Sequence, residues 1–223
     1  MKQSLKLISR FFLTLICISP FSVFSEPPNL VIVKKEVIKY HDSGVYEQEL
    51  AKKIGEAKQF LLQQVKLNHG KNQQKLALVL DIDETSLSNY DKMIKRDFTA
   101  TSAQLHLENL KGDDSAIKPT LALYKEAIKN GIHVFFITGR RQSEKQATEH
   151  NLKAQGYTQW TGLYLRPKHY HHKSIVPFKS GTRAMLEKQG YIILATIGDQ
   201  YSDIKGGYAK KGFKLPNPFY YLP

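Results

Sequence analysis

Apolar runs along this chain alternate with stretches whose apolar positions recur at helical spacing. Leu76, Ala77, Leu78, Val79 and Leu80, with Ile82 close behind, form a run without polar relief, which predicts a strand buried on both faces. "IHVFFITGR" (132–140), "GLYLRP" (162–167) and "YIILATIGDQYSD" (191–203) read as three further strands. Helical spacing predicts a long helix over 43–68, with Leu50, Ile54, Ala57, Leu61 and Val65 on one face. It also predicts helices over 119–130, opened by Pro119 and closed by Gly131, and over 142–155, closed by Gly156. A fourth helix lies in "TRAMLEKQG", with Gly190 as its stop. Residues 26–40, which begin with two prolines, read as an extended leader. "NHGKNQQ" and "KHYHHKSIVPFKSG" read as loops, and the tail "NPFYYLP" as a segment packing back on the body.

Strands alternating with helices imply an α/β fold, a Rossmann-like parallel sheet with helices on both faces. The mixed, polar stretch 87–118 falls outside that alternation and reads as an insertion of short helices and loops, a small cap. In such sheets ligands bind at the carboxyl ends of the strands. Three strands finish there in "DIDET", "TGR" and "GDQYSD", so their polar groups are expected in one crevice.

Composition narrows the picture. With 223 residues, 41% of them hydrophobic, the chain can bury a core and is not generally disordered. Lys2, Lys6 and Arg10 precede the apolar run "FFLTLICISPFSVF", and small residues stand near Ser25. That pattern predicts a signal peptide over 1–25, a mature domain over 26–223, and export to the periplasm or beyond the cell, with no stable membrane insertion after cleavage. Cys17, the one cysteine, would leave with the signal, so no disulfide is expected. Of the formal charge of +13, three units lie in the first 25 residues, so 13 − 3 leaves +10. A basic surface favours anionic substrates. The basic residues are scattered, without a basic helix or an aromatic RNA-binding signature, so nucleic acid is not an expected partner.

Carboxylates at the end of a core strand repel one another unless something joins them. A hard cation does so. Mg²⁺ takes oxygen ligands from one or two carboxylates, water and substrate phosphate, and Asp81 and Asp199 are the natural pair. Thr138, Arg140 and Lys179 supply hydroxyl, guanidinium and ammonium groups suited to phosphate. Together with a free carboxylate they point to phosphoryl transfer. His169, His171 and His172 have no spacing that fixes a metal geometry and read as a solvated loop. Trp160, Tyr220 and Tyr221 read as packing residues.

"DIDET", "ITGRR", "FKSGTR" and "GDQYSDI", in that order, resemble the four motifs of the haloacid dehalogenase superfamily. With "YHDSGVYEQEL" and "DETSLSNY" they resemble more closely its secreted acid phosphatases, the group of the class B enzymes, the outer-membrane lipoprotein phosphatases and the plant vegetative storage proteins. The resemblance implies a Mg²⁺-dependent phosphomonoesterase. Asp81 would be the nucleophile, forming an aspartyl-phosphate, and Asp83 the acid and then the base. Thr138 and Lys179 would hold the phosphoryl group, with Arg140 as a further substrate contact. Asp199 would bind Mg²⁺ with Asp81 and the backbone carbonyl of Asp83, and Asp203 would orient the metal shell. Glu84 would hold the turn after the strand. The alternatives are a phosphotransferase of the same chemistry and a non-catalytic storage or phosphate-binding protein. The presence of Asp81 counts against the latter, and Asp83 counts against a dehalogenase. The resemblance implies a small phosphomonoester as substrate, with nucleotide, sugar and aryl phosphates all open, and related phosphatases assemble as homo-oligomers.

Overall fold

The computed structural model describes residues 26–68 and 74–222. The expected signal peptide with Cys17, and most of the loop at 68–74, lie outside them. Helices α1 (Leu30–Asp42) and α2 (Val45–Asn68) precede strand β1 (Lys75–Leu80). Next come β2 (Leu87–Ser88), α3 (Tyr90–Lys95), α4 (Ser102–Lys111) and β3 (Ser115–Ala116). The remainder runs α5 (Lys118–Lys129), β4 (His133–Arg141), a 3₁₀ turn at Gln142–Glu144, α6 (Lys145–Ala154), β5 (Gly162–Arg166), α7 (Val176–Lys188), β6 (Tyr191–Gly198), α8 (Tyr201–Ile204) and β7 (Lys211–Lys214).

Five strands form one sheet in the order β5-β4-β1-β6-β7, with every pair parallel. Alternate side chains of a strand leave on opposite faces, and the core divides accordingly. Leu78, Leu80, Val134 and Phe136 pack with Leu50, Ile54 and Leu61 of α2 and Leu123 of α5. Ala77, Val79, Phe135 and Ile137 pack with Leu186 of α7. The unbroken apolar run of β1 is thus used on both faces. Truncating one of its leucines to Ala would cost about 2–5 kcal/mol.

The structure corrects the sequence reading in four places. Residues 30–42 are helical rather than extended, because Asn29 caps α1 by accepting a hydrogen bond from the Val31 amide at 3.0 Å. Helix α7 begins at Val176 with Pro177 in its first turn, so Lys179 is helical rather than on a loop. The fourth predicted strand stops at Gly198, and Tyr201–Ile204 turn into α8. The short edge strand β7 has only Phe213 buried, which leaves little periodicity to read. Among the described residues, no helix is long and apolar enough to cross a membrane.

Candidate active site

Strands β1 and β6 are parallel neighbours, with Leu80 level with Ile197. The amide of Asp81 donates to the Ile197 carbonyl at 3.0 Å and continues the pairing one residue further. Asp81 and Asp199 therefore emerge side by side at the carboxyl edge of the sheet. Asp203, on α8, folds back over Gly198, where any Cβ would collide with the Asp203 carboxylate. Only glycine permits that approach. Oxygens of Asp81, Asp199 and Asp203 lie within 4.8 Å of one another, and all three residues are buried.

Lys179 reaches this cluster from α7, donating to Asp81 Oδ1 at 2.7 Å and to Asp203 Oδ1. Burial by itself would lower the lysine's pKa, but the charges of Asp203 and Asp81 outweigh it and hold the ammonium firmly protonated. Burial pushes Asp81 well above the usual carboxylate range, against the pull of Lys179. Burial and then the charge of Asp203 push Asp199 up to about 6, while hydrogen bonds from Gln200 and Asn217 oppose the shift. Three carboxylates against one ammonium leave two negative charges when all are ionised. An oxygen-only donor set of that charge, buried and short of counter-charge, fits a hard divalent cation.

Asp83 lines the same cavity but is not one of the three clustered carboxylates. Arg140 holds it, donating from Nη2 to Oδ1 at 2.8 Å and from Nε to both oxygens at 3.1 and 3.2 Å. Asn89 donates to the same Oδ1 at 2.7 Å. Burial would raise the Asp83 pKa, but Arg140 and Asn89 outweigh it and hold the carboxyl below its usual range. The second partner of Arg140 Nη2 is Asp114 at 2.9 Å, and Asp114 is bridged at 2.6 Å to Lys92 of α3. Arg140 is only 3% exposed and its guanidinium is committed to two carboxylates. Arg140, expected as a substrate contact, here clamps Asp83 to the inserted segment while lining the cavity.

Thr138 is buried, and its hydroxyl accepts from the Arg140 amide at 3.1 Å. The cavity wall beside it is formed by Gly139 and Arg140. Glu84 stands in the left-handed backbone region, with φ of 48°. Its carboxyl receives the Asn89 amide at 2.5 Å and the Ser88 hydroxyl at 3.4 Å, which ties down the turn after β1. Burial pushes Glu84 up to about 8.

Four participants were not singled out from the sequence. Asn217 and Gln200 donate side-chain amides to Asp199 Oδ2 at 2.5 and 2.8 Å. Buried Arg183 donates to the carbonyls of Asp203 and Gly207, both at 2.9 Å, and anchors the turn that carries Asp203. Asp114 holds Arg140. Gln200 and Arg183 sit inside the motifs "GDQYSD" and "FKSGTR", but no local spacing relates Asn217 or Asp114 to the strand ends. The tail does pack back: Phe219 lies 5.0 Å from the Tyr46 ring and 5.1 Å from that of Tyr90. Tyr220 lines the cavity, whereas Tyr221, expected to pack, is 76% exposed because it turns outward past the last ring contact. Trp160 packs edge-on against Phe136 at 5.9 Å.

Above the acids opens a cavity of about 510 Å³. Asp81, Lys179 and Asp199 line its floor, and the inserted segment supplies Met93, Phe98 and Leu105. His169, His171 and His172 are all exposed, and His172 reaches the cavity wall.

Residues 28–223 match the model of the HAD superfamily, subfamily IIIB (Acid phosphatase), and the chain belongs to that family. It is 37% identical over 150 residues to the Stem 28 kDa glycoprotein of Glycine max, covering 65% of this chain and 59% of the relative. It is 35% identical over 150 residues to Acid phosphatase 1 of Solanum lycopersicum, covering 65% and 58%. The match thus spans under two thirds of these relatives' length. The class C acid phosphatase from Bacillus anthracis shares the fold, with a TM-score of 0.68 at 21% identity over 86% of this chain and 85% of that one.

Proposed function

We propose that this chain is an exported, Mg²⁺-dependent acid phosphatase that hydrolyses small phosphomonoesters through an aspartyl-phosphate on Asp81. The observation that carries the reading is the buried group of Asp81, Asp199 and Asp203 with Lys179 among them, at the carboxyl ends of adjacent parallel strands. Membership of an acid phosphatase subfamily and the name of the tomato relative support it. Export rests on the basic and apolar pattern of residues 1–25.

Asp81, Asp199 and the backbone carbonyl of Asp83 would hold the cation, with Asp203 behind them. When bound, Mg²⁺ supplies positive charge to the phosphoryl oxygens as they transfer. An Asp81 oxygen attacks phosphorus, the ester P–O bond breaks, and Asp83 gives its proton to the departing alkoxide. Water then attacks the aspartyl-phosphate and passes a proton to Asp83, releasing phosphate and restoring Asp81. Lys179, already ammonium, balances the charge that collects on the transferring group. Arg140 favours ionised Asp83, which suits the second half of the cycle. The first half needs the proton, so turnover of alkyl phosphates rises toward acid pH.

Phosphate release from a phosphomonoester panel, with Mg²⁺ and with chelator, tests the reading on wild type and Asp81→Asn. Release is expected from the wild type with Mg²⁺ and from neither protein with chelator. Undiminished release from Asp81→Asn would sink the covalent scheme.

A further inference from the structure

The cavity floor is acidic, with Lys179 among its carboxylates, but its outer wall is basic. Arg141, Arg166 and Lys173 all line it. Arg141 and Arg166 are direct partners across the parallel pair β4 and β5. Their backbones therefore run about 5 Å apart and their side chains leave the sheet on the same face. Among the described residues, no carboxylate lies within salt-bridge range of any of the three. Arg141 is held only by neutral partners, its Nη2 donating to the carbonyl of Ser102 at 3.2 Å and to its hydroxyl at 2.5 Å. Among the described residues, its other guanidinium hydrogens and all those of Arg166 have no hydrogen-bond partner. The nearby buried Glu144 is already occupied by His106, Asn109 and the Arg141 amide at 2.6, 3.1 and 2.9 Å.

Two guanidinium groups set side by side repel each other unless an anion joins them. Guanidinium forks match phosphate oxygens in geometry as well as charge. The cavity that exposes Asp81 at its floor exposes this pair on its wall, so one elongated molecule can reach both. We infer that Arg141, Arg166 and Lys173 form a second phosphate subsite, and that the preferred substrates are phosphomonoesters whose alcohol carries another phosphate. This rests on the phosphatase reading and names the substrate class for the same site.

The test compares glucose 1,6-bisphosphate with glucose 6-phosphate on the full chain. In wild type at low salt, kcat/KM for the bisphosphate should exceed that for the monophosphate by about tenfold, roughly one charged hydrogen bond's worth. In Arg141→Gln/Arg166→Gln that ratio should fall to near one. A wild-type ratio near one, or a ratio that survives in the folded double variant, overturns the subsite. Calorimetry on Asp81→Asn asks the same question without turnover. Binding of the bisphosphate about tenfold tighter than the monophosphate supports the subsite, and equal binding overturns it. Absence of turnover on every ester, with that binding difference intact, would overturn the phosphatase reading and leave the subsite standing.

Discussion

The floor of the cavity and the inserted segment above it are built by different rules. Asp81 and Asp199 are delivered by the backbone, each following a central strand whose register fixes where the chain emerges. Helix α4 has no buried residue at all. Polar side chains hold its surroundings: Lys92 to Asp113 and Asp114 at 2.5 and 2.6 Å, Arg96 to Glu108 at 3.0 Å, His106 to Glu144 at 2.6 Å. A site whose geometry belongs to the sheet tolerates loss of a charge without losing its shape. Tyr90 and Met93 of α3 are buried in the core, but a cap helix such as α4, held by ion pairs, responds to each partner and to salt. Arg140 joins the two regions, with one carboxylate from each.

The largest effect should separate chemistry from shape on the floor. Asp81→Asn is expected to lose turnover by a factor on the order of 10⁴ or more while its melting temperature holds or rises. Rapid acid quench with labelled phosphate should show no label on that variant. In Asp83→Asn an aryl phosphate, which needs little protonation to leave, should deposit label on Asp81 that persists. A large melting loss in Asp81→Asn would mean that the floor depends on its charges after all.

Arg140→Ala attacks the joint. It leaves Asp114 with Lys92 alone and Asp83 with Asn89 alone, so a loss of about 3–5 kcal/mol is expected in denaturant unfolding. A loss below about 1 kcal/mol would show that the two regions are not coupled through this residue.

A third test uses pH on chelator-treated protein. The folded pKa of Glu84, about 8, lies above its unfolded value, so the folded state binds the extra proton. Its stabilising contribution is complete below about pH 4.5 and is lost as pH rises to about 8, by up to ~1.4 kcal/mol per unit. Glu84→Gln should flatten that slope. An unchanged slope would assign it to another group.

The smallest effect belongs to the cap. Lys92→Met leaves Asp114 still paired with Arg140 and should cost about 1–2 kcal/mol. The cost should shrink in 1 M salt, measured by the same unfolding curves. A salt-independent cost would mean that Lys92 acts through packing instead.

The same contrast explains what could be read from the residues alone. Long apolar runs ending in polar residues are one-dimensional signals, and they locate β1, β4, β6 and the meeting of Asp81 with Asp199. Lys179 could be paired with them by motif, although its helix was hidden behind Pro177 and the polar loop before it. The partners of Arg140 were not legible. An arginine at the end of a strand looks the same whether it faces substrate or a buried acid, and Asp114 lies in a polar stretch with no period. Nor did anything in "NPFYYLP" show that Asn217 would turn back to Asp199, because that contact depends on the path of the chain beyond β7.

That returning segment has a kinetic consequence. Phe219 seats among Tyr46 and Tyr90, Asn217 bonds to Asp199, and the Leu222 amide donates to Gln200 at 3.2 Å. Docking it joins opposite ends of the described chain, and such contacts are made only after the entropy of closing a long loop has been paid. The sheet can form before the tail arrives, but the Asn217 amide that steadies Asp199 cannot yet be in place. Refolding followed by two probes should therefore separate, with strand protection appearing early and competence for catalysis appearing only when residues 217–222 lock down.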